Sequence, residues 1–99
     1  MSELVFLLSA EVDIQKAFET YEEFYEGRGI DFLAHLDLAL GSLRTFPEIA
    51  PLFLGNYRRL LIPRFPYAIF YSLESGRTII AGVMYLRQNP EAISRRLRG

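Results

Sequence analysis

The stretch LIPRFPYAIFY, residues 61–71, places two strongly apolar runs on either side of Pro63-Arg64-Phe65-Pro66. Proline donates no backbone hydrogen bond, so within a sheet it is held to strand ends and edges. The two prolines therefore mark where one strand stops and the next begins, and Tyr57–Ile62 and Tyr67–Leu73 are predicted to be antiparallel neighbours. A third run, Thr78–Leu86, follows the turn Glu74-Ser75-Gly76-Arg77, which completes a meander. Side chains alternate between the faces of a strand. Leu60, Ile62, Ile69, Tyr71, Leu73, Ile80 and Met84 are expected on one face. Arg59, Leu61, Ala68, Phe70, Ile79, Ala81, Val83, Tyr85 and Arg87 are expected on the other.

Both sets are mostly apolar, so both faces need cover. One cover is visible upstream. After a short strand, residues 3–8, the period changes to three and four: Ile14, Ala17, Phe18, Tyr21 and Tyr25 line one face of a helix, and Gly27 and Gly29 stop it. Asp31 is placed to cap a second helix with the seam Leu33, Leu36, Leu40, Leu43 and Pro47 beyond its end. So short a connection makes an antiparallel helical hairpin. Residues 46–56, with two prolines and no period, read as a loop. Asn89-Pro90-Glu91 is a helix start, with Asn as cap and Pro in the first turn, and Glu91–Arg98 is a short closing helix. That helix is expected to be too small to cover the second sheet face. Exposed large apolar groups forgo about 1.5–3 kcal/mol each relative to burial, so a protein partner is expected on that face.

Ninety-nine residues make one domain, 1–99. The α+β order is thus N-terminal strand, antiparallel helical hairpin, three-stranded antiparallel meander and short C-terminal helix. There is no cysteine, which excludes disulfides and thiolate metal sites and fits a reducing cytoplasm. MSELVFLL has Glu3 and no basic residue ahead of its apolar run, a poor secretory signal. The longest apolar run, IIAGVMYL, is too short to span a bilayer, so no membrane partner is expected. No phosphate-cradling glycine loop, nucleophile elbow or metal-ligand spacing appears, and no cofactor is expected. The net charge of −1 conceals an asymmetry. Residues 1–50 hold ten Asp or Glu against three Lys or Arg, whereas residues 51–99 hold two against eight. The halves are expected to neutralise one another within the fold, and a net charge so near zero argues against broad nucleic-acid binding.

The order and spacing of YRRLLIPRFPYAIFY and IIAGVMYLRQNPEAISRRL resemble the RelE/ParE toxin superfamily, which includes plasmid stabilization proteins. They are similar to its basic strand, its FPY-x-x-x-Y strand and its last strand, which ends in a basic residue before an Asp/Asn-Pro helix start. The resemblance covers nearly the whole chain. It implies the toxin of a type II toxin–antitoxin pair, with a small antitoxin that wraps it by strand addition or by a helix in a groove. Two activities occur in the superfamily. RelE-like members cut mRNA on the ribosome, and ParE-like members inhibit DNA gyrase.

The matching positions favour the second. RelE-like nucleases place cations where Arg59 and Arg87 stand, but their remaining functional positions fall on apolar Leu61, Ala68 and Ile93. The histidine of some relatives falls on Tyr85. Tyr85 and Tyr71 are conceivable as proton carriers, but an unperturbed phenol, with a pKa near ~10, is a poor one at neutral pH. The single histidine, His35, is read as a surface or packing residue of the hairpin. The expectation is a ParE-like toxin without catalytic residues. The alternatives are an mRNA endonuclease using Arg59, Arg87 and Tyr85, and a degenerate toxin that binds only its antitoxin. Antitoxin or target contacts are assigned to Arg59, Leu61, Ala68, Phe70, Val83, Tyr85, Arg87, Arg95 and Arg96. The competing reading of the C-terminal arginines is a solvated helix end suited to the helix dipole.

Overall fold

The structure, a computed structural model, describes residues 2–99; Met1, the first residue of the expected domain, lies outside the described residues. Its elements are β1 (Glu3–Phe6), α1 (Leu8–Phe24), α2 (Arg28–Thr45), β2 (Leu52–Leu54), β3 (Tyr57–Leu61), β4 (Tyr67–Glu74), β5 (Arg77–Tyr85) and α3 (Pro90–Arg98). The five strands form one sheet in the order β1-β5-β4-β3-β2. The meander is antiparallel throughout, and β1 lies parallel to β5. The hairpin α1–α2 packs on one face and α3 on the other. Among the described residues, no helix is long and apolar enough to cross a membrane.

The break Pro63–Pro66 is the β3–β4 turn. Arg64 takes a positive φ of 70° there. Phe65 folds back and is buried among Tyr21, Phe32 and Tyr67, with ring centroids 5.0 Å from Tyr21 and 5.3 Å from Phe32. The turn is thus also a peg that fixes the hairpin to the sheet.

Four expectations change. β1 ends at Phe6, and the helix starts at once at Leu8. α2 begins at Arg28 rather than after Asp31, because its cap comes from the neighbouring helix. The Glu22 carboxylate accepts from the N–H of Gly27 at 3.0 Å and of Gly29 at 2.8 Å, which satisfies donors at the helix start. Gly27 at φ 92° makes the tight entry. The expected loop 46–56 contains the short edge strand β2, which returns into β3 through Gly55 at φ 55°. Three residues are too few for a period to show.

The fourth change concerns the two faces. Phe70 pairs with Gly82, but Tyr71 pairs with Ile80, so Ala81 is an extra residue in β5. One extra residue reverses every side chain beyond it. Val83 therefore packs in the hairpin core with Ile69, Tyr71 and Ile80, and Met84 packs under α3 with Ala68, Phe70 and Ala81. Tyr85 lies opposite Tyr67 and shares its face. The uncovered second face is corrected with it. Ala68, Phe70, Ala81 and Met84 are buried beneath Ile93 and Leu97 of α3. Small residues and the bulge reduce the apolar load on that face to what a nine-residue helix can cover. What stays bare is at the far edge, where Leu52, Phe53 and Leu61 remain exposed.

The bulge has an anchor. Beyond β1, the outer edge of β5 is served by α1 and the residue before it. Leu7 N–H donates to Ile80 O at 3.0 Å, Ser9 Oγ donates to Ala81 O at 3.0 Å, and Val83 N–H donates to Asp13 Oδ2 at 3.0 Å. The same Asp13 carboxylate accepts two bonds from Arg96 of α3, at 2.8 and 3.1 Å. One side chain thereby joins α1, the bulge and α3.

Candidate functional site

An open cleft of about 480 Å³ lies where the hairpin meets the β3–β4 turn and the end of β5; Tyr21, Arg28, Tyr67, Tyr85 and Arg87 line it with Thr20, Phe24 and Pro66. Each comes from an element end. α1 supplies Tyr21, the start of α2 supplies Arg28, β4 opens with Tyr67, and β5 closes with Tyr85. A bond from Leu86 N–H to Pro66 O, 2.8 Å, holds the exit of β5 against the turn and so places Arg87 at the mouth.

The rings of Tyr67 and Tyr85 are 5.4 Å apart, and those of Tyr21 and Tyr67 5.8 Å. Arg28 lies over Phe65 at 4.4 Å and Tyr21 at 5.5 Å, and its Nη1 meets Asp31 at 2.7 Å. Arg87 is exposed and forms no ion pair among the described residues. Burial raises the Tyr21 hydroxyl above its ordinary pKa of 10.0, with nearby Arg28 opposing. Burial also raises Tyr67, helped by its phenol neighbours Tyr21 and Tyr85. These phenols are proton donors at neutral pH, not bases. No histidine or carboxylate lines the cleft. His35 packs elsewhere, against Phe65 at 5.3 Å, with Nδ1 2.9 Å from Asp31 O.

Arg59 is on the opposite face. Its guanidinium covers the ring of Phe53 at 4.9 Å, and Phe53 in turn packs edge-on to buried Phe70 at 5.4 Å. The structure brings Tyr85 and Arg87 together and puts the sheet between them and Arg59. Among the other contact residues, Leu61 is 56 % exposed beside Arg59, whereas Ala68, Phe70 and Val83 are buried. Buried groups offer a partner nothing unless the packing above them moves. Arg95 is exposed, and Arg96 is engaged by Asp13.

Sequence reasoning missed Tyr21, Arg28 and Tyr67 as members of one site. The available signal was the FPY tripeptide at a strand start and the six tyrosines of so short a chain.

No family profile matches the sequence. No curated protein matches it. Among solved structures, the chain is similar to one described as "Chromosomal ParDE TA system from P. aeruginosa", with a TM-score of 0.78 and 13% identity over 88% of this chain and 98% of that one. At that identity the likeness is one of fold, and the fold is the ParE-like α+β arrangement of helical hairpin, sheet and terminal helix.

Proposed function

We propose that the chain is the toxin of a type II toxin–antitoxin pair, that it acts in the cytoplasm by binding a target protein, DNA gyrase by its resemblance to ParE-like toxins, and that an antitoxin wraps and silences it. The similar structure is described as a ParDE TA system, which supports the toxin–antitoxin class. The observation that carries binding over catalysis is the separation of Arg59 from Tyr85 and Arg87 by the sheet. Cleavage through a 2′-hydroxyl needs a base, phosphate-stabilising cations and an acid around one phosphate. Here the cations face opposite ways, and burial raises the hydroxyls of Tyr21 and Tyr67 further from the range of a base.

The apolar surface that supports a wrapping partner is not the α3 face. It is the outer edge, with Leu52, Phe53 and Leu61, and the outside of the hairpin, where Ile30 and Leu38 are 61 % and 69 % exposed. A groove of about 450 Å³ beside Ile30, Leu33 and Leu40 has room for an apolar helix face. The free edge of β2 suits an added strand.

Expression without an antitoxin tests the reading. Stalled supercoiling and a DNA-damage response with intact mRNA are expected. Rapid cleavage of translated mRNA that is lost in the Arg59→Ala/Arg87→Ala pair would overturn it in favour of a ribosome-dependent endonuclease. Absence of toxicity together with tight antitoxin binding would indicate a degenerate toxin.

A further inference from the structure

The tyrosine–arginine cleft is built from hydrogen-bond donors around one unneutralised cation. Arg87 has no ionic partner among the described residues, and no acidic side chain lines the cleft. None of the hydroxyls of Tyr21, Tyr67 and Tyr85 has a protein hydrogen-bond partner among the described residues, although each is water-accessible rather than sealed in the core. Tyr71, on the same face, bonds the carbonyl of Pro47 at 2.8 Å, whereas Tyr21, Tyr67 and Tyr85, three of the five tyrosines without a protein partner among the described residues, gather at the cleft. Burial keeps Tyr21 and Tyr67 protonated. Phe24, 73 % exposed, adds a bare apolar wall.

From this geometry we infer that the cleft takes the carboxylate of an acidic side chain in an extended protein segment, with the fork of Arg87 gripping it, Tyr67 and Tyr85 donating to it, and Phe24 packing on an apolar neighbour. A planar guanidinium suits a carboxylate bidentately, and phenol donors suit the remaining lone pairs. The surroundings set the limit on charge. α1 carries Glu19, Glu22 and Glu23 among the cleft residues Thr20, Tyr21 and Phe24, Glu26 follows in the turn, Asp31 pairs with Arg28, and Asp13 is close enough to act on Tyr67. That field repels a polyanion such as RNA more than it repels one compact carboxylate flanked by apolar groups. The inference rests on the toxin–antitoxin reading for the partner, which is then the neutralising protein.

The test is an NMR titration of the full chain with a blocked pentapeptide, Ala-Phe-Glu-Leu-Ala, and with its Gln counterpart. Saturable shifts at Tyr67, Tyr85 and Arg87 are expected, about tenfold weaker with the Gln peptide and lost in Arg87→Met. Tyr85→Phe keeps the ring and is expected to weaken binding severalfold, with the melting temperature of both variants unchanged. Equal binding of the two peptides overturns the inference. So does no saturable binding, or a tighter effect of a short oligoribonucleotide on the same residues. A toxic chain that ignores the Glu peptide would remove this inference and leave the toxin reading intact. A non-toxic chain that binds it would do the reverse.

Discussion

Asp13 joins α1 to both the β5 bulge and α3 through one carboxylate. It accepts from the Val83 amide released by the bulge and from both forks of Arg96. Its removal leaves a bulge N–H without its acceptor and a guanidinium without its partner, so Asp13→Ala is expected to destabilise the fold by about 1–3 kcal/mol in urea unfolding. Arg96→Ala should cost less, because that guanidinium is partly solvated and exposed ion pairs contribute about 1 kcal/mol or less. A double-mutant cycle should show the two losses to be non-additive. Tyrosines give a second prediction at this scale. Tyr21, Tyr67 and Tyr71 all have hydroxyls pushed above 10.0, chiefly by burial. Because their folded values lie above the unfolded one, their contribution to stability is intact below about pH 10 and is lost as pH rises through the folded values. Ultraviolet absorbance titration should find Tyr21, Tyr67 and Tyr71 ionising above the ordinary phenol value, with denaturant stability flat to about pH 10 and falling beyond it.

Among the elements, the hairpin depends on a close approach between α1 and α2. A Cβ at Gly29 would stand 2.7 Å from a ring carbon of Phe18 and 2.8 Å from its carbonyl oxygen. The backbone oxygen cannot swing aside, so Gly29→Ala is expected to lower stability by about 1–3 kcal/mol, read as a fall in melting temperature. Glu22 reaches the same junction from the other side. Glu22→Ala should cost about 0.5–2 kcal/mol, the usual range for a lost cap, and the deficit should appear as faster amide exchange in the first turn of α2. On a helix that also carries Glu11, Glu19 and Glu23, Glu22 is set apart by a backbone turn that brings two amides to it.

The whole molecule keeps its two charge halves more separate than composition suggests. Of the Lys, Arg and Asp or Glu ion pairs among the described residues, Arg28–Asp31 lies within the acidic half and Arg98–Glu91 within the basic half; Asp13–Arg96 joins them. Neutralisation inside the fold is therefore slight, and the surface stays polarised, with an acidic α1 and an arginine-bearing sheet end. Association with a charged partner is expected to slow severalfold as salt is raised from about 0.05 to 0.5 M, measured as the on-rate, with a smaller change in the off-rate.

The sequence by itself determined the helices, the meander strands and the breaks between them, since each rests on neighbours along the chain: the three- and four-residue period of α1, the prolines around Phe65, the Asn89 cap that accepts from the Glu91 amide at 3.0 Å. Its resemblance to a toxin superfamily also singled out Arg59 in β3 and Arg87 just past β5. Only the tertiary structure decided which face each one takes. The extra residue at Ala81 is held by Asp13, 70 positions away in sequence from Val83, and no local pattern records such a contact. Because strand side chains alternate strictly, the bulge turned Tyr85 to the face of Tyr21 and Tyr67, the bond from Leu86 to Pro66 held Arg87 beside them, and Arg59 was left behind the sheet.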